Sequence, residues 1–196
     1  EVNGEGRVLR FLEKPKAQPF PCRTVNSGLY VLEPEALSWV EEGVHRMFET
    51  DVFPSLLARH EKVYSYLRSG PWRDIGTPSS YLAMNMEALE QEQGLRAGEG
   101  CRVHPSAVVT GPILLGRGCR IERDATLRGP VVLGDGCIVE EGARVERSVL
   151  WERVRVGRNA HVLEAGLADG VVIEPGVALP PGTVLGSGES ALSTSK

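Results

Sequence analysis

The sequence predicts an α/β segment followed by a parallel β-helix of hexapeptide repeats, on three observations. Aliphatic residues recur at every sixth position in Val103, Val109, Leu115, Ile121, Leu127, Leu133, Val139 and Val145. A small or apolar residue stands two positions before each, in Cys101, Ala107, Ile113, Cys119, Ala125, Val131, Cys137 and Ala143. Glycine (23) and proline (13) are plentiful and aromatic residues make up only 6%, a bias toward short strands joined by turns.

Residues 1–93 carry mixed signals. Residues 7–13, 24–32 and 62–67 have the β-branched and aromatic content of strands. Pro34 opens a helix over 34–42 that Gly43 stops, and Thr77 before Pro78 is an N-cap for a helix reaching about Gln93. The opening octet, Glu1 to Val8, reads as a hairpin turn entering a strand with no earlier partner strand. Since the first residue is not Met, the chain is expected to begin inside a domain. Glycines crowd residues 94–100, so the period changes there and the boundary is set at 97/98.

Beyond the boundary each hexad offers one aliphatic side chain to a shared interior and one small side chain where the chain bends. No coil buries its core alone. After Val145 the register slips by one to Leu150, Val156 and Val162, then once more to Leu167, Ile173, Leu179 and Leu185. Three faces per turn gives about five coils. Gly116, Gly134 and Gly157, each directly after an aliphatic position, fit turns where a Cβ would crowd neighbouring backbone. The repeat resembles the left-handed hexapeptide-repeat β-helix. It is placed at 98–186, with a small, polar and disordered tail at 187–196.

A net charge of −4, with basic residues interleaved among acids, argues against a nucleic-acid surface. No apolar run approaches the roughly 20 residues of a membrane span, and no basic-then-apolar leader opens the chain. A cytoplasmic protein is expected, without nucleic-acid or membrane partners.

Cys101, Cys119 and Cys137 are spaced by eighteen, one per coil, and should stack along one edge. A three-thiolate metal site is one reading. The favoured one treats each as a small buried apolar residue, because no Cys-x-x-Cys spacing is present. Cys22 stands alone in a proline-rich loop, in keeping with a reducing compartment. His104 and His161 lie beside inward positions, where a histidine can activate an acceptor in acyltransferases of this fold.

Three segments occur in order in the first half: Phe11-Leu12-Glu13-Lys14-Pro15, Val25-Asn26-Ser27-Gly28-Leu29-Tyr30, and Gly70-Pro71-Trp72-Arg73-Asp74-Ile75-Gly76-Thr77-Pro78. Together they resemble the sugar-1-phosphate nucleotidyltransferase family, whose catalytic domain is Rossmann-like. The stretch Phe48-Glu49-Thr50-Asp51-Val52-Phe53-Pro54 is most similar to mannose-1-phosphate guanylyltransferases, with glucose-1-phosphate enzymes close rivals. The resemblance implies that Glu13 contacts sugar hydroxyls and Lys14 the sugar phosphate. It also implies that Asn26 and Ser27 lie at the sugar, that Gly28 lets backbone approach the ring, and that Asp74 holds Mg²⁺. Lys14 and Asp74 are thus the catalytic candidates. On the same basis residues 1–97 are the C-terminal, sugar-phosphate side of the catalytic domain.

The implied substrates are a nucleoside triphosphate and a sugar 1-phosphate, and the products a nucleotide sugar and pyrophosphate. The family's Gly-rich triphosphate loop does not occur, so an N-terminally truncated chain, inactive alone, is expected. The coil ends favour burial against the α/β domain or a second subunit, hence a homo-oligomer. Two other readings compete: a non-catalytic regulatory or assembly subunit, and a β-helix acyltransferase.

Overall fold

The computed structural model describes residues 1–12, 24–70 and 72–192. They divide into two compact units, Glu1–Trp72 and Arg73–Lys196, each taken by itself below.

The first unit opens with the expected hairpin. Asn3 Oδ1 accepts from the amides of Glu5 (3.0 Å) and Arg7 (2.9 Å), which closes the turn and sets Val2 antiparallel to Val8. Arg7 in turn bridges to Tyr64. Of the three expected strands, only these isolated bridges form among the described residues. Residues 24–32 run without ladder pairing, leaving Leu29 84% and Val31 99% exposed. Composition favours a strand there, but a strand needs a neighbour for its backbone groups.

The helix expected over 34–42 is a single 3-10 turn, Pro34–Leu37. Ser38 Oγ donates to the Glu35 carbonyl at 2.8 Å and Trp39 Nε1 to that of Ala36 at 3.0 Å, taking acceptors a longer helix would use. A π-turn, Phe48–Val52, leads into helix α1, Phe53–Ala58, neither of which the sequence reading anticipated. Val52, Phe53 and Leu56 form the core, packed by Phe11, Tyr30, Trp39, Phe48 and Val63. The Phe11 and Phe53 rings stack at 4.4 Å, and Tyr30 meets Phe53 edge-on at 4.8 Å.

The second unit begins with helix α2, Pro78–Glu90. Thr77 Oγ1 accepts from the Ser80 amide at 3.1 Å while Ser80 Oγ accepts from the Thr77 amide at 3.2 Å, a capping box that fixes the start as read. Tyr81 on α2 accepts from Trp151 Nε1 at 3.2 Å, and their rings meet edge-on.

The hexads form three parallel sheets of six, six and four strands. One face stacks Leu95–Ala97, Ile113–Leu115, Val131–Leu133, Val149–Leu150, Gly166–Leu167 and Val184–Leu185. The second runs from Arg102–Val103 to Ser190–Ala191, and the third from Val108–Thr110 to His161–Leu163. In the middle coils both inward positions of the repeat are buried: Leu127, Val139, Val145, Val156 and Val162 are fully enclosed, as are Ala125, Ala143 and Ala160, whereas Val103 in the first coil is exposed.

The register slips have a structural cause. Ile113 pairs with Val131 one eighteen-residue coil on, but Val132 pairs with Val149 and Val149 with Gly166 after seventeen. The corners Gly111-Pro112 and Gly129-Pro130 are replaced by the single residues Arg147 (φ 46°) and Glu164 (φ 47°) in the left-handed region. Eighteen returns with Gly166 pairing to Val184. Ser148, fully buried at the shortened corner, donates to the Glu146 carbonyl (2.6 Å) and accepts from the Ala165 amide (3.1 Å), so its hydroxyl is satisfied.

Gly116 and Gly134 do what the repeat requires: a Cβ on Gly116 would stand 2.6 Å from the Asp135 amide, and one on Gly134 2.7 Å from the Trp151 carbonyl carbon. Outside, charges pair between successive coils, Arg117 with Asp135 (2.8 Å), Arg128 with Glu146 (3.7 Å) and Arg147 with Glu164 (3.5 Å). One expectation is corrected at the end of the helix. Residues 187–192 continue the coil rather than forming a disordered tail, because Gly188 donates to Asp169 and Ser190–Ala191 pairs with Val172–Ile173. Residues 193–196 lie outside the described residues.

Candidate functional site

Glu13 and Lys14 lie outside the described residues. Asn26, Ser27 and Gly28 are exposed in the first unit, and Asp74 is exposed in the second.

Asn26 is held from three directions. Its Oδ1 accepts from the Gly28 amide at 3.2 Å, and its Nδ2 donates to the Tyr30 hydroxyl and to Glu49 Oε1, the latter at 3.3 Å. Tyr30 donates to the same Glu49 oxygen at 2.8 Å. The Tyr30 ring packs against Phe48 and Phe53, so the aromatic core fixes the hydroxyl, and the hydroxyl with Glu49 fixes the carboxamide. With its amino group bonded to Tyr30 and Glu49, the exposed carboxamide keeps one lone pair of Oδ1 to accept from a polyol. Gly28 has φ +77°, and no atom lies within 4 Å of where its Cβ would be. Glycine is needed there for its backbone conformation, and the space beside it is open for approach.

Sequence reasoning missed Glu49 and the orienting role of Tyr30, although both lie in segments it quoted. A carboxylate one residue from an aromatic carries no signal until Phe48–Val52 coils and brings it against residue 26. Asp51 in that turn accepts from the Met47 amide (2.9 Å) and the Thr50 hydroxyl (3.0 Å), bonds that hold its carboxyl below the usual carboxylate range.

Asp74 Oδ1 accepts from the Gly76 amide at 2.8 Å, tying down the turn that leads to the Thr77 cap. A carboxylate bonded through one oxygen retains acceptor capacity on the other. Among the described residues, no three or more His, Cys, Asp or Glu side chains are grouped to hold an ion. Arg73 is paired with Glu87 on α2. In the β-helix, Cys101, Cys119 and Cys137 donate to the carbonyls of Gly116 (2.9 Å), Gly134 (3.1 Å) and Trp151 (2.9 Å). His104 Nδ1 meets Ser106 Oγ at 2.9 Å, and His161 Nε2 stands 3.4 Å from Glu146.

A short segment with an oriented polar cluster, followed in the chain by a three-faced parallel β-helix, defines the class of protein by fold: a hexapeptide-repeat protein with an N-terminal extension. Residues 1–91 match the family model of nucleotidyl transferases, and residues 109–190 match that of the GMPPB C-terminal domain. The chain is thus similar, in this order, to a nucleotidyl transferase domain and to the GMPPB C-terminal domain.

It is 34% identical over 116 residues to mannose-1-phosphate guanylyltransferase of Mycobacterium tuberculosis, covering 57% of this chain and 32% of that protein. It is 35% identical to probable mannose-1-phosphate guanylyltransferase 2 of Arabidopsis thaliana, over 56% of this chain and 27% of that protein. Glucose-1-phosphate adenylyltransferase of Desulfitobacterium hafniense is 40% identical over 45% of this chain and 23% of its own length. The matches thus span about a third or less of these relatives. The solved structure of serine acetyltransferase isoform 3 from Entamoeba histolytica is also similar, at 14% identity over 57% of this chain and 39% of that one. Its TM-score of 0.37 is too slight to bear on activity.

Proposed function

We propose that this chain is the sugar-phosphate side, residues 1–97, and the β-helix of an enzyme that forms a nucleotide sugar and pyrophosphate from a nucleoside triphosphate and a sugar 1-phosphate. GTP and mannose 1-phosphate are the favoured pair. The observation that carries this reading is the order of the two matches, nucleotidyl transferase over residues 1–91 and GMPPB C-terminal domain over 109–190.

In this reading Glu13 accepts from sugar hydroxyls and Lys14 offsets the charge of the sugar phosphate. Asn26 offers the hydroxyls its oriented carboxamide, with Ser27 beside it and Gly28 leaving room for the ring. The phosphate oxygen of the sugar attacks the α-phosphorus in line and pyrophosphate leaves. Positioning and charge neutralisation supply the catalysis, without a covalent enzyme intermediate. Asp74 is a fitting ligand for Mg²⁺: it offers one carboxylate oxygen beyond the one bonded to Gly76, and Mg²⁺ takes one or two carboxylates alongside phosphate oxygens and water. Bound there, the ion neutralises phosphate charge.

No Gly-x-Gly-Thr-Arg run occurs in these 196 residues, so the chain alone is expected to be inactive. Cytoplasmic location accords with three unpaired thiols in the described residues, and a homo-oligomer through the β-helix accords with its open coil ends. Among the described residues no helix is long and apolar enough to cross a membrane.

A pyrophosphate-release assay on the longest product of the reading frame that contains this chain, with GTP, mannose 1-phosphate and Mg²⁺, tests the proposal. Release is expected with this pair in preference to ATP with glucose 1-phosphate. No release with any sugar phosphate and nucleotide pair contradicts it.

A further inference from the structure

The three β-helix cysteines take no part in the proposed chemistry, yet their arrangement has chemical consequences of its own. Arg102 pairs with Arg120 and Arg120 with Ile138, and the amides of Arg102 and Arg120 donate to the carbonyls of Cys119 and Cys137, each at 2.9 Å. Cys101, Cys119 and Cys137 therefore stand in register on consecutive coils. Adjacent strands lie roughly 4.8 Å apart, inside the roughly 4.4–6.8 Å between Cα atoms that a disulfide spans. Cys101 is half-buried, whereas Cys119 and Cys137 are fully enclosed, so an oxidant meets the stack at its Cys101 end.

We propose that Cys101 and Cys119 form a peroxide-sensitive pair, oxidised to a disulfide that staples the first two coils of the β-helix while Cys137 stays a thiol. The Cys101 sulfur attacks one peroxide oxygen, giving a sulfenic acid and one water. The Cys119 sulfur then attacks the sulfenic sulfur and its hydroxyl leaves as a second water. Two thiols and one hydrogen peroxide thus become one disulfide and two waters. Each sulfur gives up only a thiol bond to a carbonyl, of Gly116 or Gly134, to reach its partner.

The electrostatics of the stack agree with these roles. Cys119 has its pKa lowered, chiefly by the neighbouring Cys137 thiol, which suits it to the second attack, on the sulfenic sulfur. Cys137 is pushed up, chiefly by the neighbouring Cys119 and then by burial. Asp135 acts in the opposite sense on Cys119, raising its pKa.

The test treats the whole chain, carrying Cys22→Ser so that only the stack can react, with hydrogen peroxide, then alkylates the free thiols and maps the peptides by mass spectrometry. A Cys101–Cys119 cross-link two hydrogens lighter is expected, forming faster as pH rises toward 8, with Cys137 alkylated. Cys119→Ala should fold, because alanine fills the same kind of position at Ala125, Ala143 and Ala160. It should abolish the link and leave Cys101 trapped by a sulfenic-acid reagent. Cys137→Ala should leave the link intact. Absence of any link, a link confined to Cys119 and Cys137, linkage only between chains, or a link that survives Cys119→Ala overturns the proposal.

Discussion

At the scale of single residues, the β-helix is held by what it excludes. The Gly134 position admits no Cβ, with the Trp151 carbonyl carbon 2.7 Å away, whereas the same atom on Gly166 meets nothing within 4 Å. Gly134→Ala should therefore cost about 1–3 kcal/mol in urea unfolding, the range for overpacking, while Gly166→Ala should stay within about 0.5 kcal/mol. Equal effects would show that the coil spacing is not fixed by backbone contact. In the polar cluster, Glu49→Gln keeps the shape but replaces the charged acceptor of the Tyr30 hydroxyl and the Asn26 amide. A loss of about 1 kcal/mol or less in the first unit's stability is expected, because the site is partly exposed. In turnover, the Michaelis constant for the sugar phosphate should rise more than that for the nucleotide.

The elements explain why parts of this site were legible and others were not. A hexad writes its period into the chain every six residues, so both inward positions and the two register slips could be read directly, down to Leu150 and Leu167. The cause of the slips could not, since Arg147 and Glu164 are ordinary polar residues that happen to sit at φ near 46°. Arg147→Val tests that corner: a β-branched residue is poorly accommodated there and should lower stability by about 1–2 kcal/mol. Residues 24–32 were misread for the opposite reason: their strand character is local, but the ladder that would realise it is not. Glu49 was missed because the π-turn that carries it has no periodic signature.

The charge ladder between coils also belongs to this scale. Asp135 accepts from the Arg117 amide and then its guanidinium, and Glu141 from Arg123, so both carboxyls titrate below their ordinary values. A carboxyl with a depressed folded pKa contributes stability that is present above its unfolded pKa and lost as pH falls through the folded one. The thermal midpoint should thus be level near neutrality and fall below about pH 4. With Arg117→Ala the Asp135 part of that acid loss should shrink. A midpoint that rises on acidification would contradict the assignment.

Across the whole molecule, two units of different construction meet in one sequence: a short aromatic core that orients Asn26, and a repeat whose core runs from Ile113 to Leu179. The matched families divide later, between residues 91 and 109, so that the first match takes in α2 of the second unit. Under the proposed function, residues 13–74 would handle the sugar phosphate and leave the nucleotide to parts of the enzyme outside this chain. The most direct measurement is the steady-state kinetics of Asn26→Ala in the longest product of the reading frame, varying mannose 1-phosphate and GTP in turn. Loss of hydrogen bonds to sugar hydroxyls should raise the Michaelis constant for mannose 1-phosphate about tenfold, equivalent to roughly 1.4 kcal/mol, and leave that for GTP nearly unchanged. An equal rise for both substrates, or a change confined to GTP, would contradict the account.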